Sequence, residues 1–184
     1  MDPLDGTKEF IKRNGEFTVN IALIENNTPI FGVIHLPVTS ETYWGSQVNG
    51  SFYSSGNNDV KEIRVSENHQ NPIRIVASRS HPSDVFNSLL EKIIDYEIIE
   101  VGSSIKFCLI ASGQADLYPR FGPTSEWDTA AGEAIVSSAG GHVVAASGNS
   151  MKYNVKEEYL NPNFIVSNGK IISERILSLI NTGK

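Results

Sequence analysis

The feature that most constrains this chain is a change of rhythm near residue 73. Before it, short β-rich runs alternate with tight polar turns. Residues 17–24 form one such run, Glu25-Asn26-Asn27-Thr28 is a turn, and residues 29–35 read as the returning strand of a hairpin. Residues 42–45 and 50–53 make a second antiparallel pair, with Val48-Asn49-Gly50 supplying the turn chemistry. Residues 54–59 are a polar, glycine-containing break. Beyond it, strands and helices take turns. Strands are expected at 73–77, 96–101, 115–118, 142–145 and 164–166. Helices are expected at 83–94 with Ser83 as cap, at 103–112, at 129–139 ending on Gly140-Gly141, and at 171–180. An antiparallel meander followed by such alternation predicts an α+β part feeding an α/β part, stacked as a layered sandwich. The expected division is residues 1–60 for the antiparallel part and 61–184 for the α/β part.

Composition narrows the function classes. A net charge of −6 argues against a nucleic-acid or anionic-membrane surface, and the 15 lysines and arginines are scattered. The single cysteine, Cys108, excludes an internal disulfide framework and fits a reducing cytosol. An acid, a proline and a glycine interrupt the first residues, which do not read as a signal peptide. With no apolar run of bilayer length, the chain reads as a soluble cytoplasmic protein.

The chemistry concentrates in Asp2-Pro3-Leu4-Asp5-Gly6-Thr7. Pro3 fixes its own φ and biases Asp2 toward extended geometry, so both carboxylates can converge on one point. Hard cations such as Mg²⁺ take carboxylate oxygens, and free N–H groups at a following helix start suit a phosphate. An exposed turn whose acids merely cap a helix is the competing reading. Glu126-Trp127-Asp128-Thr129-Ala130-Ala131-Gly132 places another acid at a helix start, followed by residues small enough for close packing. Asp128 is either an N-cap or a third ligand, held by a buried Trp127, of a two-cation phosphoryl-transfer site. Ser103, Lys106 and Arg120 are candidate anion clamps, with solvated surface positions as the alternative. His81 is a similar candidate, or simply a loop residue.

These motifs together resemble the inositol monophosphatase superfamily. The spellings Asp2 to Phe10, Gly15 to Ile24, Gly102 to Cys108 and Asp116 to Asp128 resemble its 3′(2′),5′-bisphosphate nucleotidase branch, of the CysQ type. The resemblance implies an inositol-monophosphatase-like fold and two or more Mg²⁺ ions held by Asp2, the Leu4 carbonyl, Asp5 and Asp128. It implies that the loop of Leu4, Asp5, Gly6 and Thr7 holds the scissile phosphate and that Thr7 orients the attacking water. Ser103, Lys106, Arg120 and His81 would grip the nucleotide and its retained 5′-phosphate. The implied reaction takes adenosine 3′,5′-bisphosphate, or its phosphosulfate relative, to the 5′-nucleotide and phosphate, in sulfur assimilation and nucleotide recycling. An inositol-phosphatase-like activity is the sibling alternative. A homodimer and a peripheral association with the inner membrane stay open, and no nucleic-acid partner is expected.

The family also implies a segment ahead of the first Asp. It would carry adjacent glutamates, one of them a ligand of the first metal, and an acid that pairs with the threonine. Neither has a counterpart here, since Glu157-Glu158 lies too far along the chain. The expectation is a truncated or mis-started nucleotidase with an impaired first metal site and apolar side chains exposed on the strand at 17–24.

Overall fold

In the computed structural model, residues 1–56, 59–69, 71–79 and 83–181 are described. The first sheet is built as the alternation requires. Its strands are β1 (Asp2–Asp5), β2 (Thr18–Glu25), β3 (Thr28–Leu36), β4 (Glu41–Ser46), β5 (Gly50–Ser54) and β6 (Val60–Ile63). They pair in that order as an antiparallel meander, and helix α1 (Thr7–Lys12) sits between β1 and β2. Two elements depart from expectation. Asp2–Asp5 is a strand rather than a loop, paired with β2 through an irregular register. β6 falls beyond the expected polar break. It is an edge strand whose Val-Lys-Glu-Ile run is mostly exposed, so its pattern carries no hydrophobic signal.

The second half contains β7 (Ile73–Ala77), α2 (Asp84–Leu90), β8 (Tyr96–Glu100), α3 (Ile105–Ala111) and β9 (Leu117–Arg120). It continues with α4 (Glu126–Ser138), β10 (His142–Ala145), β11 (Phe164–Ser167) and α5 (Lys170–Asn181). Its sheet runs β10-β11-β9-β7-β8, parallel where β7 meets β8 and β9 and antiparallel elsewhere. α2 is shorter than the expected 83–94, although Ser83 does cap it by accepting from the Phe86 N–H.

The layers follow from which faces are apolar. α3 and α4 lie between the two sheets, and one core joins Ile34 and Tyr43 of the first sheet to Phe107, Ile110, Ala131, Ile135, Tyr118 and Phe164. A second core on the far face of the second sheet packs Ile75, Leu117 and Ile165 against Leu89, Ile172 and Ile176 of α2 and α5. The first sheet is covered by α4 on one face. On the other, Ile21, Val33, Trp44 and Phe52 form a cross-strand row, with Ile21 46% and neighbouring Leu23 56% exposed.

The small residues of α4 permit its close approach. A Cβ on Gly132 would stand 2.2 Å from the Phe107 ring, so α3 seats directly on the helix backbone. On the sheet side, a Cβ on Gly32 would stand 2.3 Å from the Ala131 carbonyl oxygen. Both groups there are backbone, so neither can yield cheaply. Gly32→Ala is expected to cost at least the ~1–3 kcal/mol typical of overpacking. It should appear as a lower urea midpoint with an unchanged slope, and an unaltered midpoint would show that α4 can lift off the sheet freely.

Candidate active site

β1, α3 and α4 bring the site together. Asp2 and Asp5 stand at the two ends of β1, and Asp128 lies in the first turn of α4. One carboxylate oxygen from each lies within 4.8 Å of the others. Local hydrogen bonds fix all three. Asp2 Oδ1 accepts from the Leu4 N–H at 3.0 Å, which holds the bend around Pro3. Asp5 Oδ2 accepts from the Ser104 N–H at 2.6 Å and, more weakly, from Thr18 and Asn20 at 3.4 Å. Asp128 Oδ2 accepts from the Ser125 N–H at 2.7 Å.

Asp128 is therefore the third helical residue in a capping box, with Ser125 as the N-cap. This corrects the expectation of Asp128 at the cap itself. Trp127, expected to be buried, is 43% exposed and tilts against the Tyr159 ring at 5.4 Å. Its neighbour Asp128 is held by the capping box.

A cavity of about 590 Å³ is lined by Asp5, Gly6, Ser103, Lys106, Arg120 and Asp128, with Lys8 and Arg79 adding further positive charge. Asp2, Leu4 and Thr7 lie outside that lining; Thr7 opens α1 and is exposed. His81 lies outside the described residues. Lys106 is buried rather than solvated: its Nζ donates to the Ser103 carbonyl at 2.7 Å and the Val101 carbonyl at 3.2 Å, above the Tyr118 ring. Arg120 donates to Ser78 Oγ at 3.2 Å and to the Pro123 carbonyl at 3.0 Å. Burial pushes the Lys106 ammonium down to about 8, against the pull of Asp5 and together with the nearby Arg120 charge.

Several residues that sequence reasoning passed over support the cluster. Thr18 Oγ1 lies 2.7 Å from Ser104 Oγ, which donates to Asn20 Oδ1 at 2.8 Å, forming a buried network beneath Asp5. Thr18 and Asn20 are polar residues at inward positions of an otherwise apolar strand, a signal the pattern does contain. Glu16 accepts from the Gly102 N–H at 2.8 Å and pairs with Arg79 at 2.6 Å, which ties the α1–β2 connection to the rim of the cavity.

The electrostatics fit a divalent cation. Burial first, then the Asp5 and Asp2 charges, raise the Asp128 carboxyl to about 6 despite its Ser125 hydrogen bond. Asp5 is raised as well, again mainly by burial. Three oxygens that repel one another at this spacing form the hard, anionic donor set that Mg²⁺ or Mn²⁺ takes.

The fold and this site define a class: the inositol monophosphatase family profile matches residues 1–183, and the chain belongs to that family. It is similar to the 3′(2′),5′-bisphosphate nucleotidase CysQ of Salmonella typhimurium, with 49% identity over 91% of this chain, and to that of Escherichia coli K12 at 48%. It spans 66% of the length of each of these two relatives. Among solved structures, CysQ from Bacteroides thetaiotaomicron superposes with a TM-score of 0.82 at 45% identity, over 90% of this chain and 68% of that one. An inositol monophosphatase from Anabaena superposes at 0.80 with 24% identity, over 98% of this chain and 69% of its own, a likeness of fold. No described helix is long and apolar enough to cross a membrane.

The raised Asp128 value gives a pH prediction with a definite sign. The folded chain holds this proton more tightly than the unfolded one, whose ordinary value is 3.8. The contribution to stability is therefore present below about 4 and is lost as pH rises through about 6. A cation favours the ionised form and opposes that loss. The melting temperature without metal is expected to fall across this window, and saturating Mg²⁺ to restore it. Asp128→Asn should flatten the metal-free profile and remove the Mg²⁺ response, and a response surviving the substitution would place the cation elsewhere.

Proposed function

We propose that this chain carries the site of a Mg²⁺-dependent 3′(2′),5′-bisphosphate nucleotidase. The reaction is removal of the 3′-phosphate of adenosine 3′,5′-bisphosphate to give AMP and inorganic phosphate, with the 5′-phosphosulfate analogue as a second substrate. The observation that carries the reading is the pairing of two charge regions at one cavity. The carboxylates of Asp5 and Asp128 in its lining, with Asp2 clustered against them outside it, suit a metal, and Lys106 and Arg120 suit a second, retained phosphate. The CysQ relatives support the nucleotide branch over an inositol phosphate, which has one phosphate to hold.

Asp2, Asp5, Asp128 and the Leu4 carbonyl are the proposed ligands. A cation held there would supply charge neutralisation at the phosphoryl oxygens and acidify the attacking water. The chain's own work is to hold and orient. The backbone N–H groups of Gly6 and Thr7 face the scissile phosphate, and the Thr7 hydroxyl directs the attacking water. The water oxygen bonds to phosphorus as the bond from phosphorus to O3′ breaks, and the displaced water proton ends on the 3′-oxygen. Ser103 and Arg120 hold the 5′-phosphate by direct contact. Lys106 acts through its charge, since its ammonium is already committed to two carbonyls.

The deciding experiment is Mg²⁺-dependent phosphate release from adenosine 3′,5′-bisphosphate, compared with release from inositol 1-phosphate. Asp128→Asn is expected to cost more than the ~10–100-fold that outer partners of a metal site are worth. Arg120→Ala should raise KM for the bisphosphate with little change in kcat, the pattern of lost uniform binding. Preference for inositol phosphate would move the reading to the sibling branch. No release from a folded chain that still binds Mn²⁺ would mark it as catalytically impaired.

A further inference from the structure

We infer that residues 153–161 act as a clasp that positions Asp128 for metal binding, with Asn161 as its central positioning residue. This rests on the metal reading above. The contacts converge on one turn of α4. The Glu126 N–H donates to the Tyr159 carbonyl at 2.8 Å, and the Asn161 N–H donates to the Thr124 carbonyl at 2.8 Å. Ser125 and Leu160 form an isolated antiparallel bridge. The Asn154 N–H donates to Glu126 Oε2 at 2.9 Å, and the Tyr153 hydroxyl donates to Glu133 Oε2 at 2.6 Å about two turns further on.

Asn161 closes the arrangement from the side. Its Nδ2 group donates to the Ser125 carbonyl at 2.8 Å and to Thr129 Oγ1 at 3.0 Å, with Thr124 Oγ1 at 3.2 Å. Its Oδ1 is buried without a partner among the described residues, a cost that an apolar side chain would not carry. The value of this side chain therefore lies in its donors, and they grip the two residues that bracket the capping box. Ser125 is the residue whose N–H holds the Asp128 carboxylate at 2.7 Å. The route from clasp to site is short: the Asn161 side chain fixes the Ser125 carbonyl, and the N–H of the same residue fixes Asp128.

The rest of α4 does not need this clasp to stay in place. Its C-terminal half has its own anchor, the Ser51 hydroxyl donating to the Ile135 carbonyl at 2.7 Å. Its middle is seated by the close approach to Gly32. What the clasp adds is the orientation of the first turn. Outer partners of this kind typically set metal affinity by 10–100-fold.

The test compares Asn161→Ala with Ser51→Ala in the whole chain, since each removes one buried anchor of the same helix. Two quantities are read: amide hydrogen exchange at Ser125 without metal, and the Mn²⁺ dissociation constant by calorimetry. Asn161→Ala is expected to speed Ser125 exchange and to raise the Mn²⁺ dissociation constant about 10-fold. Ser51→Ala should leave both at the parental values even where it lowers the melting temperature as much. If the alanine variant does not fold, Asn161→Asp keeps the shape and removes the donor. Unchanged Ser125 exchange, unchanged Mn²⁺ affinity, or an equal loss in Ser51→Ala would each overturn the clasp. Failure of the metal reading is separately visible, because the parent chain would then bind no Mn²⁺, and the clasp falls with it.

Discussion

The seating of α4 on the first sheet is the contact on which the remainder depends. Asp2 and Asp5 belong to that sheet, and Asp128 belongs to the helix. Their separation is therefore set by how closely helix backbone and strand backbone approach. Gly32 sets that limit by presenting no side chain to the Ala131 carbonyl. A larger residue would push the helix outward, and the third carboxylate would leave the other two. Packing and chemistry thus share one contact, and close-packed interiors transmit such strain instead of absorbing it.

The same contact creates an electrostatic problem. Three carboxylates within 4.8 Å repel one another, and burial makes Asp5 and Asp128 harder to ionise. The structure offsets part of this with the Ser104 N–H, the Thr18–Ser104–Asn20 network and the Lys106 charge beyond it. It does not offset all of it, since Asp128 is still raised to about 6. Incomplete compensation is what a cation site requires. A cluster fully satisfied by protein groups would gain little from a metal, so the residual repulsion is the source of affinity.

How much of this was legible in the sequence depends on the type of signal. The meander was readable because β2 to β5 alternate or cluster apolar residues between evident turns. β6 was not, because an exposed edge strand of Val-Lys-Glu-Ile has the composition of a loop. Asp2–Asp5 was read as a loop and is a strand, since pairing with β2 satisfies residues that local propensity would leave unpaired. At α4 the acid was found but its place was not. Ser125, three residues earlier, is the better cap, and the capping box puts Asp128 where its carboxylate serves both helix and site. Burial of Trp127 could not be judged from its type, because large aromatics cover surfaces whose neighbours are fixed by tertiary packing. Thr18 and Asn20 were readable in principle and passed over because two small polar residues on a strand look ordinary until Asp5 is placed above them.

The choice between a nucleotide and an inositol phosphate turns on Lys106 more than on the acids. The carboxylate cluster suits a metal whichever substrate is bound, so it does not discriminate between substrates. Lys106 is different. Its ammonium is buried, tied to two backbone carbonyls, and driven down to about 8 by that burial with Arg120 adding repulsion. Holding two cations this close costs free energy, and Asp5 recovers part of it. The remainder is recovered when an anion enters the cavity they line, and a substrate whose only phosphate sits at the metal would not supply one there. A second phosphate would. Under the proposed function, this pair of basic residues is the part of the site that takes the 5′-phosphate of the nucleotide.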